Sequence, residues 1–199
     1  MRRSRRFWAF SAVITVAAAL TLLTTLASAA SSAGAEQVRW DIISTTGVPP
    51  TPINPGGQAS ASAANGGDTI TLTGSGTFVA PASGGGTGAA TGGGTWTTTG
   101  GGSGTYTVTA LVSWRPANPQ TDVGFVDNID EGTRTNGAAV LDIAFSDGST
   151  GVLTVGCHGP GAPPGIFEGI ATTKGFKTYY TVPAPVPGVN AGRTLFHVR

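Results

Sequence analysis

Between residues 69 and 80 the chain alternates apolar and polar positions. Ile70, Leu72 and Phe78 share one parity, with Gly74 and Gly76 between them, while Thr69, Thr71, Thr73, Ser75 and Thr77 take the other. Period-two alternation with β-branched residues predicts a half-buried strand, and the glycine pair predicts a bulge or bend in its middle. The same period returns at 105–114, where Tyr106, Val108, Ala110, Val112 and Trp114 face one way. At 138–146 Leu141, Ile143 and Phe145 oppose Val140, Asp142 and Ala144. At 151–158 Leu153, Val155 and Cys157 oppose Val152, Thr154 and His158. Ser146-Asp147-Gly148-Ser149 joins the last two runs as a hairpin, its Asp-Gly fitting a type I′ turn.

Shorter runs complete the pattern: 37–43, a short strand from Trp96, and a second hairpin of 166–172 and 176–182 around Thr173-Lys174-Gly175. The last is 193–199, with Phe196 and Val198 inward and His197 opposite. These pieces predict one all-β domain over 36–199, an antiparallel sandwich or small barrel of about eight or nine strands. Pro- and Gly-rich loops are expected at 47–67, 81–94, 115–136 and 183–192, and Gly100 to Gly104 reads as a turn. The 32 glycines and 13 prolines argue against long helices, and disorder competes as a reading of the Gly-rich stretches. Gly-Thr-aromatic recurs at Phe78, Trp96 and Tyr106, a weak and irregular repeat that fits strands beginning alike in a meander.

The first 35 residues break the pattern. Arg2, Arg3, Arg5 and Arg6 precede an uncharged span, Phe7 to Ala35, that holds an apolar core. Two small-x-small sites follow, Ala27-Ser28-Ala29 and Ala33-Gly34-Ala35. This is the layout of a cleavable signal peptide and predicts a secreted, extracellular protein; an uncleaved membrane anchor is the alternative. No cysteine stands at either cleavage site, which excludes a lipoprotein.

Removal of 1–35 leaves 7 basic against 10 acidic residues, a net charge of −3 where the whole chain has +1. No Lys/Arg cluster survives, so neither nucleic acid nor, after cleavage, stable membrane association is expected. One cysteine, Cys157, cannot staple the domain, so stability must come from core burial.

Candidate chemistry is sparse. Adjacent residues on a strand point to opposite faces, so Cys157 and His158 form no nucleophile pair, and the phase of Cys157 makes it an apolar core residue. His158 and His197 are the two histidines, and a shared site would require them close in space. Asp127, Asp130 and Glu131 are the candidate metal ligands, oxygen donors suited to Ca²⁺, although Ile129 departs from the calcium-loop pattern and a solvated acidic loop is the alternative. Glu168 and Asp142 sit within apolar runs, where a carboxylate needs a partner; Arg115, Arg134 and Arg193 are available. If both acids line one cavity, a paired-carboxylate hydrolase follows. Glu168, Asp142 and His158 are thus the catalytic candidates, and Trp96, Tyr106 and Trp114 the candidates for lining a ligand cavity or packing the core. No nucleotide, metalloprotease, serine-hydrolase or other cofactor motif is present, and no cofactor is expected.

Three stretches, Gly74-Ser75-Gly76-Thr77-Phe78-Val79-Ala80-Pro81, Phe145 to Ser149 running on to Cys157-His158, and Arg193 to Arg199, resemble a group of uncharacterised secreted proteins from actinobacteria. The resemblance spans most of 36–199 and implies export and a shared fold, with no catalytic residues to carry over. A looser likeness, of architecture alone, is to small antiparallel barrels such as the dirigent and allene oxide cyclase group. The expectation is a secreted, non-enzymatic binding or structural β domain. The alternative is a barrel holding a small apolar or carbohydrate ligand, with isomerase or hydrolase activity.

Overall fold

The computed structural model describes residues 34–46, 51–64, 67–81, 84–85, 88–121, 124–186 and 188–199. Residues 1–33 of the expected leader, 1–35, lie outside them, as do parts of the expected loops 47–67, 81–94, 115–136 and 183–192.

The described chain is all β, with thirteen strands instead of eight or nine: β1 (Ala35–Thr45), β2 (Thr51–Pro55), β3 (Ala59–Ala63), β4 (Thr69–Leu72), β5 (Ser75–Pro81), β6 (Ala90–Thr98), β7 (Ser103–Pro119), β8 (Phe125–Asp127), β9 (Thr133–Phe145), β10 (Thr150–Cys157), β11 (Gly169–Lys174), β12 (Lys177–Thr181) and β13 (Gly188–Val198). The added strands lie where loops were expected. β2 runs through the Pro-rich connector, and β3 is an Ala-Ser-Ala-Ser-Ala run whose alternation is hidden by small side chains. Its alanines are buried, while Ser60 and Ser62 pair with the Thr71 and Thr69 hydroxyls at 2.8 and 2.9 Å. The Gly-rich 90–94 is likewise ladder, not loop. A Cβ at Gly94 would lie 2.0 Å from the Thr73 oxygen, so the close approach of two strands requires glycine there. The expected strand 69–80 does break at Gly74, into β4 and β5.

All pairings are antiparallel except β2 with β8. Three strands, β6, β7 and β9, form a shared spine. The outer edge of β6 is divided between β5 (90–93) and β4 (96–98), and that of β9 between β13 (133–135) and β10 (137–144). Two closed circuits of pairing result. One passes through eight strands, β9-β10-β11-β12-β3-β4-β6-β7 and back to β9. The other passes through six, β1-β5-β6-β7-β9-β13 and back to β1.

The apolar parities face one continuous core. Trp114 meets Phe196 and Phe78 at ring-centroid distances of 4.7 and 5.3 Å, and Trp96 and Tyr106 flank Phe145 at 5.8 and 6.2 Å. β7 departs from simple alternation. Its pairing with β9 slips between Val108 and Ala110 and again between Leu111 and Ser113. Each slip reverses the facing, so Leu111 is buried and Val112 is 42% exposed, and the second restores Trp114 to the core. The Asp-Gly hairpin also differs from type I′. Gly148 alone of the turn has positive φ, at 86°. Phe145 receives the Gly148 N–H at 3.0 Å and donates its own to Ser149 at 2.8 Å. This is a three-residue loop, a type I turn closed by a glycine bulge, and the Asp147 carboxylate caps the Ser149 N–H at 3.1 Å.

Candidate functional site

The fork in the outer edge of β9 creates the site. Register places Cys157, the end of β10, opposite Gly137, and Phe196 of β13 opposite Thr135. Between them stands Asn136, fully buried. Its Oδ1 accepts the Gly159 N–H at 2.8 Å, and its Nδ2 donates to the Pro160 carbonyl at 3.3 Å. Asn118 donates to the Gly161 carbonyl at 2.9 Å, and the Thr121 N–H to Pro160 at 3.1 Å. The loop after β10 is therefore pinned along its length, and it walls a cleft of about 590 Å³. The opposite wall is Ile43, Thr45, Thr51, Ile53 and Phe125, from β1, β2 and β8. Arg193, Thr194 and Leu195 of β13 complete the lining.

Three ionisable side chains meet in this cleft: His158, Glu168 and Arg193. Glu168 lies one residue before β11, in a loop and not within a strand. One carboxylate oxygen accepts the Thr194 N–H at 2.9 Å, the other the His158 N–H. Burial pushes this carboxyl above its ordinary range, against the pull of both N–H groups and of the nearby charges of Arg193 and His158. The carboxylate so ties the ends of β10 and β11 to β13. His158 lies 2.8 Å by Nδ1 from the Ile166 carbonyl. A carbonyl only accepts, so Nδ1 carries a hydrogen, and in the neutral ring Nε2 is the acceptor. The guanidinium of Arg193 makes no hydrogen bond to any described residue. Gln120 donates through Nε2 to the Cys157 sulfur at 3.2 Å, leaving its amide oxygen at the cleft. Cys157 is buried, as its phase requires, and burial together with the Glu168 charge pushes its thiol well up.

The other expected site residues go elsewhere. Asp142 is on β9 and borders a separate depression of about 480 Å³ with Thr109, Val152 and Thr173. The two acids do not share a cavity, which removes the paired-carboxylate geometry. The histidines also have separate partners: Nε2 of His197 is 2.8 Å from Oδ2 of Asp127, while His158 lines the cleft. His197 opposes Phe196 as expected, yet both are fully buried, because the acidic segment covers the second face of β13.

That acidic segment is not an open solvated loop. Asp127 takes His197 and the N–H groups of Ile129 and Asp130 at 3.0 and 3.2 Å, and Glu131 lies between Arg39 and Arg199. Asp130 adopts a φ of 45°, the turn that brings Glu131 to those cations. Among the described residues no three His, Cys, Asp or Glu side chains gather as a metal site.

Trp96, Tyr106 and Trp114 pack in the core. Tyr106 donates its hydroxyl to the Thr73 carbonyl at 2.8 Å. Trp96 also borders a shallow depression in which Lys174 lies 4.3 Å from its ring centroid. Sequence reasoning named His158 and Glu168, and named Arg193 as a partner. It missed Gln120, Phe125 and Thr51, which lie in segments it read as loop, and Thr45, just past the run 37–43. No family profile, curated protein or solved structure matches the chain.

Proposed function

We propose that this is an exported, non-enzymatic binding domain that holds a small hydroxylated ligand, of the carbohydrate class, in the cleft at the β9 fork. The observation that carries the reading is the lining itself. One wall presents an imidazole, a half-buried carboxyl, a guanidinium and an amide; the facing wall presents Ile43, Ile53 and Phe125 beside two threonines. Clefts of 300–1,000 Å³ with an apolar lining and a few convergent polar groups are the usual form of a small-molecule site, and about 590 Å³ falls inside that range. The pinned 158–162 rim supplies the preorganisation that such binding requires.

The test is saturation-transfer NMR of the full chain with a panel of neutral and acidic monosaccharides and disaccharides. Ala162 lies on the rim, so Ala162→Trp fills the cleft without entering the core. Binding by the parent chain that disappears in this variant is the expected result. Binding that the variant leaves intact, or no binding by any sugar, overturns the reading.

A second reading, acid–base catalysis at the same cleft, is favoured by one observation: a carboxyl held above its ordinary range beside an imidazole whose Nε2 is an acceptor. Turnover of a bound sugar that is lost in His158→Gln supports it, and unchanged sugar after prolonged incubation excludes it.

A further inference from the structure

The charges of the cleft are unequally satisfied. Glu168 has both oxygens engaged by backbone N–H groups, from Thr194 and His158. Arg193 faces the same space, more than a third exposed, with no described hydrogen-bond acceptor for its guanidinium. The other cations near β1 and β13 are differently placed: Arg39 donates to Asp41 at 2.7 and 2.9 Å and also reaches Glu131, and Arg199 is held by Glu131. A guanidinium presents five donors in a planar fork that matches the two oxygens of a carboxylate, and a free fork at the mouth of a preformed cleft is a receptor for one.

The neighbouring groups are mostly acceptors. His158 in its neutral form offers Nε2, with Nδ1 committed to Ile166, and Gln120 offers its amide oxygen, with one of its two amide hydrogens committed to Cys157. Acceptors grouped beside a cationic fork fit hydroxyl groups flanking a carboxylate. Ile43, Ile53, Phe125 and Leu195 supply apolar surface for the C–H face of a ring.

We infer that the cleft ligand is a sugar acid, a uronate whose carboxylate docks on Arg193 while its hydroxyls donate to His158 and Gln120. This rests on the cleft reading above. The same chemistry comes from two sources, a free uronate and a uronate unit of an acidic polysaccharide.

The experiment is isothermal titration of the full chain and of Arg193→Gln with D-galactose, D-galacturonate and tetragalacturonate. A charge-assisted bidentate contact corresponds to roughly tenfold or more in affinity. Galacturonate is therefore expected to bind at least about tenfold tighter than galactose, and Arg193→Gln to abolish that difference. The Arg193 side chain has no described hydrogen-bonded partner to lose, so the variant keeps its fold, and an unaltered Tm checks this. Equal affinity for galactose and galacturonate overturns the sugar-acid inference and leaves the cleft reading standing. Binding of neither overturns both. With the inference upheld, a tetramer that binds more tightly per uronate than the monomer identifies the polysaccharide as the source, and equal affinity identifies the free acid.

Discussion

The Nε2 of His197 lies 2.8 Å from Oδ2 of Asp127, and through this contact the penultimate pairing residue of β13 is joined to the end of β8, seventy positions earlier. A carboxylate only accepts, so Nε2 is the donor; Nδ1, equally buried, has no hydrogen-bond partner among the described residues. The Asp127 carboxyl is subject to opposing influences. Burial pushes it up, while the His197 hydrogen bond and the N–H groups of Ile129 and Asp130 together hold it below the ordinary range.

A carboxyl with a depressed folded-state pKa contributes stability at pH values above its unfolded pKa of about 4, and that contribution is lost as the pH falls through the folded value. Asp127→Asn should therefore lower stability near neutrality, by on the order of 1 kcal/mol, because a partly buried hydrogen bond to a charged group is replaced by a neutral one. Between about pH 5 and pH 3 the difference from the parent should shrink. Urea titrations at pH 7 and pH 3 measure both, and a difference independent of pH would show that Asp127 acts by packing alone.

Gly76 sits where β5 crosses closest to β6 and to the core. A Cβ there would lie 2.1 Å from the Thr91 carbonyl oxygen, 2.7 Å from the Gly92 Cα and 2.8 Å from Nε1 of Trp40. Two of these three neighbours are backbone, which cannot step aside. Gly76→Ala should cost about 1–3 kcal/mol or more, the range for overpacking, and Gly100→Ala is the control. At Gly100 the nearest atom to a Cβ is 3.7 Å away. A smaller Tm loss for Gly76→Ala than for Gly100→Ala would mean that the two strands separate without strain.

Cys157 gives a direct probe of opening. Its thiol is buried and held protonated by that burial and by the Glu168 charge, so a thiol-specific reagent should not modify the native chain at pH 8. Modification should begin only across the unfolding transition in urea, at the midpoint seen by tryptophan fluorescence. Labelling well below that midpoint would reveal separate opening of the β9 fork.

Much of the fold was legible because the strongest strands carry their own period. Leu141, Ile143 and Phe145, like Leu153, Val155 and Cys157, face the core as their spacing requires. Legibility failed in two physical situations. Where a strand is built of Ala, Ser and Gly, as in β3 and the start of β6, the inward and outward residues hardly differ in hydrophobicity, and the ladder is invisible in the pattern. Where β7 slips register against β9 on either side of Leu111, parity assigns Val112 inward and overlooks Leu111. The site was half visible for a related reason. His158 and Glu168 attract notice as titratable groups beside apolar runs. Their meeting with Arg193, and the separation of Glu168 from Asp142, follow from the fork of β9, a long-range feature with no local signal.

The two pairing circuits have a consequence for solubility. From Thr69 to Trp114 the chain contains no charged residue, and its threonines, valines and aromatics favour extended structure. Such a segment, with no lysine and with its one proline, Pro81, only at the end of β5, has the composition that templates edge-to-edge growth between molecules. In the folded chain β4, β5 and β6 have a strand along both edges, and β7 is covered by β9 along one edge and by β6 over 103–107 along the other, where Gly88 and Gly85 also bridge Leu111 and Trp114. Protection against fibril formation is thus a property of ring closure and not of side-chain charge. Any lesion that opens a ring, even one far from this segment, exposes an uncharged template for self-assembly.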